Sequence, residues 1–271
     1  MTKLTMQPFN IYSLCKHQLA IIQYFKQQPS WPLDALAKKL GFSKETLLMY
    51  CKKLQKQGAH LSIEKTLRCH VDWLNGHNIR QHLPKNLRMP PCYLFNTLPS
   101  SNDTLLTLAK IQKETLALCL TEHQSQGRGR QKHHWASPLG CNLYFSLLHP
   151  YDKPHTDTEL SEKIAHWVVN AIHAYGIQKN FTVKPPNDIV YQGKKLCGIL
   201  IETICRPKHA SLIIGIGVNL NMTQANVLPV INQTWTDLAA IAGEKIDRNR
   251  FCACLLTELI QQLADSIQEK K

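Results

Sequence analysis

The chain has 271 residues, 44% of them hydrophobic, and a formal net charge of +13, which suits one large and one small globular domain. No apolar run is long enough to cross a bilayer and Met1 to Gln7 lack the apolar core of a signal peptide, so the sequence predicts a cytoplasmic protein with no membrane partner. The ten cysteines are scattered without a CxxC or CxxH pair, which argues against disulfides and against a metal site.

Apolar residues at helical spacing predict three helices near the N-terminus. The first covers residues 18–24, the second covers residues 33–40, and the third begins after Ser43, a residue type that caps helices well. Helix, helix, turn and helix is the order found in a helix-turn-helix. The loosely alternating residues 59–71 that follow predict a two-stranded wing, so this part of the chain is predicted to be a winged helix-turn-helix.

Positive charge is concentrated in the same part of the chain. Residues 1–95 hold 14 Lys and Arg against 4 Asp and Glu, while residues 96–271 hold 18 against 15. This surplus predicts a polyanion partner, here operator DNA, although a small helical domain that packs or dimerises without DNA also fits the helices. The side chains predicted to reach DNA belong to the third helix and its cap: Ser43, Lys44, Lys52 and Lys53.

A proline-containing stretch, residues 83–91, predicts a boundary between a domain at residues 1–82 and another at residues 83–271. Beyond it the hydrophobic pattern alternates between the periods of strands and helices, which predicts an α+β fold. Strands are predicted at residues 115–121, 141–148 and 212–221, and helices at residues 102–110, 159–175 and 250–268.

The loop after the first predicted strand contains Gly127-Arg128-Gly129-Arg130. Glycines let the backbone approach a ligand closely, and arginines supply forked donors for phosphate or carboxylate. The loop is neither a GxxxxGK[ST] nor a GxGxxG motif, so the usual nucleoside triphosphate and dinucleotide loops are excluded. By itself it also fits an RNA-binding or plain surface loop.

Three further motifs follow this loop in order. They are Val183-Lys-Pro-Pro-Asn-Asp188, Lys195-Leu-Cys-Gly-Ile-Leu200 and Gly215-Ile-Gly-Val-Asn-Leu220. Together with the Gly-Arg loop and the Trp135 downstream of it, this set resembles the biotin–protein ligases in order and spacing. The basic N-terminal part resembles the bifunctional class, whose members also repress the biotin operon. One departure is Pro185, where the family usually has Trp.

The resemblance implies a class II synthetase-like mixed sheet with flanking helices for the second domain, and it implies roles for individual residues. Arg128 and Arg130 would hold carboxylate and phosphate, and Lys184 would neutralise charge that grows on the bridging oxygens. Biotin-binding residues are implied at Ser100, Ser101, Asn102, Gln124, Gly127, Arg128, Lys184, Gly198 and Gly215. Adenylate-binding residues are implied at Arg130, Trp135, Asn187 and Asn219.

The resemblance also implies a reaction. Biotin and ATP, with Mg²⁺ as cofactor, form biotinyl-5′-AMP, and a lysine of the biotin carboxyl carrier protein of acetyl-CoA carboxylase then takes the biotin. A homodimer and biotin-responsive repression are further expectations. The family's small C-terminal β-barrel domain is expected to be missing, because the chain ends after the helix predicted at residues 250–268.

Two other functions stay open from the sequence. One is a biotin-sensing DNA-binding repressor with weak ligase activity. The other is a lipoate or octanoate ligase, which shares the fold and the lysine chemistry but typically lacks both the Gly-Arg loop with its Trp and the helix-turn-helix.

Overall fold

The computed structural model describes residues 14–111, 116–150, 157–205, 210–224, 231 and 233–268. Buried apolar side chains in these ranges form three clusters. One lies in the N-terminal part, and the other two lie on opposite faces of a large mixed sheet, one on each face. Helices and a largely antiparallel sheet are both present, so the predicted α+β class is confirmed. Within the described ranges, every helix is too short or too polar to span a membrane.

The N-terminal part consists of three helices and a small sheet. The first helix buries Ile21, Ile22 and Phe25, which share one face at helical spacing. The third is capped by Ser43, whose Oγ accepts a hydrogen bond from Thr46 N at 3.2 Å. The elements are α1 (Lys16–Gln27), β1 (Ser30–Pro32), α2 (Leu33–Leu40), α3 (Lys44–Lys56), β2 (Leu61–Ile63) and β3 (Thr66–Cys69). The three strands run in the order β1-β3-β2, and β2 and β3 form the predicted hairpin.

The large sheet of the described residues has seven strands: β4 (Cys92–Phe95), β5 (Ala117–Thr121), β6 (Leu143–Pro150), β7 (Thr182–Lys184), β8 (Asp188–Tyr191), β9 (Lys194–Cys205) and β10 (Ala210–Val218). Their order in the sheet is β4-β5-β6-β10-β9-β8-β7. The pair β4 and β5 is parallel, and every other neighbouring pair is antiparallel.

The two faces of this sheet differ in what covers them. Along β10, Ile214 and Ile216 point into the larger core, beneath two long helices, while Ile213 points towards a single helix on the opposite face. Gly215 and Gly217 alternate onto the same second face as Ile213. Because they have no side chains, they leave space above the sheet there. The helices are α4 (Gly76–His82), α5 (Ser101–Ile111), α6 (Asp157–Tyr175), α7 (Leu238–Ala242) and α8 (Arg248–Gln268), of which α6 and α8 lie on the first face and α5 on the second.

Helix α4 was not predicted from the sequence. It begins after Asn75, whose Oδ1 accepts a hydrogen bond from His77 N at 2.8 Å, and it buries a single apolar side chain, Ile79. A helix this short shows no periodicity of its own. Leu74 and Ile79 belong to the larger core, so the packing changes from one core to the other before residue 82. The division of the chain at residue 82 stays a prediction.

Residues 137–141 join the two parts of the molecule. Leu139 is fully buried in the N-terminal cluster, and its N donates to Gln57 O, just after α3, at 2.7 Å. The side chain of Cys141 donates to Gly58 O at 3.2 Å. A Cβ on Gly58 would lie 2.5 Å from the Cβ of Pro138, so the two segments are in contact at the backbone.

A fully buried ion pair reinforces this junction. Arg248 Nη1 lies 2.8 Å from Glu122 Oε2, and neither side chain is exposed to solvent. Glu122 Oε1 accepts Leu74 N at 2.7 Å, and Arg248 also donates to Asn142 O and to Asp72 O. One ion pair therefore ties the segment before α4 to the end of β5 and the start of α8.

Candidate active site

A cavity of about 740 Å³ lies on the second face of the sheet, beside the N-terminal end of α5. It is lined by the loop after β5 and by residues of α5, β9 and β10. All the ligase-site residues predicted from the sequence line it, except Gly127 and Lys184. Those that do are Ser100, Ser101, Asn102, Gln124, Arg128, Arg130, Trp135, Asn187, Gly198, Gly215 and Asn219.

The floor of the cavity is a pair of glycines on neighbouring strands. Gly198 of β9 and Gly217 of β10 face each other across the ladder. A Cβ on Gly198 would lie 2.9 Å from Trp135 Cζ3, and one on Gly217 would lie 2.5 Å from Trp135 Cε2. The indole therefore rests directly on the bare backbone, and its buried Nε1 has no hydrogen-bond partner within the described ranges.

One end of the cavity is lined by uncharged polar side chains. Gln124 Oε1 accepts from Ser101 N at 2.9 Å and from Ser101 Oγ at 3.1 Å, and Gln124 Nε2 donates to Ser137 Oγ at 3.2 Å. Ser146 Oγ lies 2.6 Å from Asn102 Oδ1. Gly215 beneath Asn102 leaves room for this amide, because a Cβ there would collide with Asn102 Oδ1. Alternating donors and acceptors suit a neutral ligand group that does both.

A buried histidine next to this end adds no charge to it. The ring of His123 lies 2.9 Å from Thr97 Oγ1, beneath the segment that carries Gln124. Burial lowers the pKa of His123 to about 4, so the imidazole is neutral at neutral pH. His123 therefore adds no positive charge beside the polar end.

The two arginines of the Gly-Arg loop, predicted to act together, have different surroundings. Arg128 donates from Nε and Nη2 to Asp103 and from Nη2 to both Glu202 oxygens at 2.9 Å. The hydrogen bond to Asp103, followed by that to Glu202, raises the pKa of Arg128. The Nη1 of Arg130 is buried in the cavity wall with no partner within the described ranges. Arg128 is thus occupied by protein carboxylates, and Arg130 is the loop arginine that can receive an anion.

The lysine that lines the cavity is Lys195. Its Nζ lies 2.8 Å from Asp188 Oδ1 and 5.5 Å from the centre of the Trp135 ring, and the Lys195 side chain is only 19% exposed. A register shift pairs Ile189 with Cys197 but Val190 with Lys195, which leaves one residue of β9 unpaired. This bulge turns Lys195 to the same face as Gly198, an outcome that strict alternation would not give.

Lys184, the predicted catalytic lysine, lies elsewhere. It ends β7, one of the two edge strands of the sheet, opposite Asp188. Its side chain is exposed and does not line the cavity. The structure therefore does not bring Lys184 together with the Gly-Arg loop. The lysine that lines the cavity beside this loop is Lys195, not Lys184.

Asn187 and Asn219, two further predicted residues, hold backbone segments in place at the end of the cavity opposite the polar end. Asn187 Nδ2 donates to Ile199 O at 2.8 Å. Asn219 Nδ2 donates to Thr236 O at 3.1 Å, and Thr236 N donates to Lys195 O at 2.9 Å. These bonds hold the segment next to Trp235 against β9, so a second indole lines the cavity at this end. Gly127, outside the lining, lets the two ends of its loop meet, because a Cβ there would lie 2.5 Å from Trp135 O.

The residues predicted to contact DNA lie far along the chain from this cavity, on the outside of the N-terminal part. Lys52 and Lys53 are exposed, and Lys53 Nζ lies 5.3 Å from the centre of the Tyr50 ring. Lys44 forms an ion pair of 2.8 Å with Asp34, and Ser43 uses its hydroxyl to cap α3. This surface is basic, although its first lysine is already paired.

Four acidic or basic residues of the site were not assigned a role from the sequence: Asp103, Asp188, Lys195 and Glu202. Two of them lie inside the motifs given above, Asp188 two residues after the double proline and Lys195 three residues before Gly198. A carboxylate and a lysine at those spacings were the available signal. Asp103 and Glu202 offered none, since their common partner is Arg128, 25 and 74 residues away in the sequence.

Comparison with known proteins agrees with this site. A family model described as the biotin/lipoate A/B protein ligase family matches residues 94–219. The bifunctional ligase/repressor BirA of Escherichia coli (strain K12) is 37% identical over 143 residues, which are 52% of this chain and 44% of that protein. BirA of Bacillus subtilis (strain 168) is 31% identical over 216 residues, 77% of this chain and 66% of that protein.

A solved structure is also similar. The biotin protein ligase from Aquifex aeolicus, in complex with biotin and ATP, has a TM-score of 0.57 and 26% identity, and the match covers 68% of this chain and 74% of that one. The aligned parts span less than two thirds of the length of either BirA protein. The family model includes every predicted ligase-site residue, from Ser100 to Asn219. Residues 94–219 therefore match the biotin/lipoate A/B protein ligase family, and biotin–protein ligases are among the relatives of the chain.

Proposed function

We propose that the chain activates biotin with ATP and transfers it to a lysine of a biotin carboxyl carrier protein. The observation that carries this proposal is a single cavity with two chemically different ends. A neutral hydrogen-bonding end, at Ser101, Asn102 and Gln124, suits the ureido ring of biotin. A cationic end, at Arg130 and Lys195, suits the carboxylate of biotin and the phosphates of ATP.

In the first step the carboxylate oxygen of biotin attacks the α-phosphorus of ATP. The bond from that phosphorus to the bridging oxygen breaks, and pyrophosphate leaves with the electron pair. Two anions must meet for this to happen, so cations placed beforehand lower the barrier. We assign this task to Lys195 and Arg130, in place of the Lys184 and Arg128 that the sequence suggested.

In the second step the neutral amine of the carrier lysine attacks the acyl carbon of biotinyl-5′-AMP, and AMP leaves. The mixed anhydride must be kept from water until then. Trp135 and Trp235 line the cavity around its phosphate end and would cover the adenylate there. The new nitrogen–carbon bond forms as the acyl carbon–oxygen bond breaks, AMP leaves with the electron pair, and the proton lost by the amine passes to water.

Mg²⁺ is proposed to enter with ATP and to reduce the negative charge of its phosphates. The residues present fit such an ion, because Asp188 and Asn187 place hard oxygen atoms in the wall of the cavity. One carboxylate is enough for Mg²⁺ when phosphate oxygens and water complete the coordination.

The test is transfer of biotin in solution. The protein is incubated with ATP, Mg²⁺, biotin and a carrier domain, and the carrier is then blotted with streptavidin. Labelling that depends on ATP and on the carrier lysine is expected. A folded protein that leaves the carrier unlabelled would contradict the proposal.

For the N-terminal part we propose a winged helix-turn-helix that binds operator DNA, in a protein whose repression responds to biotin. The three helices, the β2–β3 hairpin and the exposed Lys52 and Lys53 support this proposal. Two relatives named as ligase/repressors add to it. The test is a gel shift on the chain's own biotin-gene promoter, with and without biotinyl-5′-AMP, with the dimer followed by sedimentation.

The family model covers lipoate ligases as well, so the substrate needs its own experiment. Biotin and lipoate are compared by thermal shift, because a ligand that binds the folded state raises the melting temperature in proportion to the logarithm of its concentration. Stabilisation by biotin alone is expected. Stabilisation by lipoate alone would favour the lipoate or octanoate ligase.

A further inference from the structure

The outward face of α3 carries one large apolar side chain among charged ones. The inward face of this helix buries Leu47, Cys51 and Leu54 in the N-terminal cluster. Of the large apolar side chains that are exposed within the described ranges, Met49 is the one in the N-terminal part, with 43% of its surface exposed. The other exposed side chains of α3 are Lys44, Glu45, Lys52, Lys53 and Lys56. Met49 therefore interrupts a face that is otherwise charged.

The neighbours of Met49 on this face are two lysines and a carboxylate. Lys52 and Lys53 follow Met49 by three and four residues, which are the spacings of neighbours on one side of a helix. Glu45 precedes it by four residues and is engaged at the start of the helix, where hydrogen bonds to its own backbone and to Ser43 lower the pKa of its carboxyl. The side chain beside the lysines that is left to contact a partner is thus an apolar one.

The two kinds of side chain on this face suit different parts of a DNA duplex. Lysines donate to phosphate oxygens whatever the base sequence, whereas a thioether gains little there. In the major groove, the apolar group that a base pair presents is the 5-methyl of thymine. The second helix of a helix-turn-helix enters this groove with its N-terminal residues, and Met49 lies in the N-terminal half of α3.

We infer that Met49 determines part of the sequence specificity of this helix, by packing its thioether against the 5-methyl of a thymine while Lys52 and Lys53 contact the flanking phosphates. This inference rests on the proposed binding of operator DNA and adds the base that is recognised. The unbranched, polarisable side chain of methionine adapts well to a small apolar group. Burying one methyl corresponds to about a fourfold change in affinity, or about fifteenfold when a dimer engages two half-sites.

The experiment is a fluorescence-anisotropy titration of the full chain, with biotinyl-5′-AMP present, on two forms of the chain's own biotin-gene promoter. One duplex contains thymine, and in the other every thymine is replaced by uracil, which lacks the 5-methyl but pairs with adenine in the same way. The wild type should bind the uracil duplex about four- to fifteenfold more weakly. Met49→Ala should bind both duplexes equally, with the affinity that the wild type has for the uracil duplex.

Three further variants separate recognition of the methyl from other effects. Met49→Leu, which stays apolar, should keep the preference for thymine. Lys53→Ala should weaken binding to both duplexes by the same factor, because a phosphate contact does not depend on the base. The matched control is Ile111→Ala, since Ile111 is an exposed apolar residue of a helix outside the N-terminal part. It should bind as the wild type does. Alanine favours the helix, so the melting temperature of Met49→Ala should equal that of the wild type.

The outcomes distinguish this inference from the proposed DNA binding. An equal preference for thymine in Met49→Ala and the wild type would overturn the inference while operator binding stands, and so would a wild type that binds both duplexes equally. A wild type that binds the promoter no more tightly than an unrelated duplex would contradict operator binding and the inference together. Replacing thymines one at a time should confine the loss to one position in each half-site. A loss spread evenly over many thymines would indicate a change of DNA shape and would also overturn the inference.

Discussion

Replacing Lys184 and Lys195 one at a time tests which of the two lysines acts in the cavity: Lys184, as the sequence suggested, or Lys195, which lines the cavity. Lys195→Met removes the charge but keeps a long side chain against Trp135, and Lys184→Met is its matched control. The Lys195 side chain is 19% exposed, and its partner Asp188 is 17% exposed, so a phosphate in the cavity would meet this cation in a medium well below the dielectric constant of water. Lys184, by contrast, is exposed on the edge strand.

The size of the effect follows from these surroundings. Unit charges at about 4 Å interact by roughly 4 kcal/mol at an effective dielectric constant near 20, and by roughly 1 kcal/mol in water. We therefore expect Lys195→Met to lower kcat/KM for adenylate formation by about 10²- to 10³-fold, in the range found when a single oxyanion donor is removed. Lys184→Met should lower it less than about fivefold, since water screens that side chain.

The assay is pyrophosphate release in a single turnover, without carrier, so that only the first step is measured. Lys195→Arg should retain more activity than Lys195→Met because it keeps the charge. The double variant Lys195→Met with Asp188→Asn checks stability, since it removes the carboxylate that would lose its partner. A larger loss for Lys184→Met than for Lys195→Met would refute the assignment of the cavity cation.

Three further predictions concern the floor, the junction and the pH dependence. Gly217→Ala places a Cβ 2.5 Å from the loop indole and should raise the KM for ATP about tenfold in an initial-rate assay, whereas Gly76→Ala, with nothing within 4 Å, should leave it unchanged. Arg248→Met leaves Glu122 buried without its cation and should lower the free energy of unfolding in urea by about 3–5 kcal/mol, with part recovered in the double variant that adds Glu122→Gln. Burial lowers the pKa of His123 from 6.5 to about 4, so this residue's contribution is complete above pH 6.5. As pH falls from 6.5 to 4, the unfolded chain gains a proton that the folded chain lacks, and stability should drop by up to ~3 kcal/mol more than in His123→Gln.

Local patterns were sufficient where neighbouring residues determine the structure. Ser43 caps α3 as predicted, and the predicted helix at residues 159–175 is α6 (Asp157–Tyr175). The predicted strand at residues 212–221 is β10, which ends at Val218. For the helix and the strand, the hydrophobic period repeats over enough residues to exceed the effect of any single contact.

The order of the motifs predicted which segments line the cavity. It could not predict which charged side chains are paired with protein groups and which face the cavity. The resemblance implied Gly198 as a biotin-binding residue, and Gly198 does lie in the floor of the cavity, whereas Gly217 beside it was not among the predicted residues. Arg128 and Arg130 look alike in the sequence, yet distant carboxylates occupy only the first. Lys195 enters the cavity through a bulge in β9, and a bulge depends on the pairing of two strands, which a single strand's pattern does not contain.

The burial of Leu139 has a consequence for engineering. Leu139 follows the Gly-Arg loop in the sequence, but the apolar pocket that holds its side chain is formed by α3 and its neighbours in the N-terminal part. Residues 83–271 expressed alone would expose Leu139 to water beside the loop that holds Trp135. A different N-terminal segment joined in place of residues 1–82 would need an apolar pocket of the same shape for Leu139. The two parts are therefore not interchangeable modules, and a change of partner for either one has to be matched by a change at Leu139.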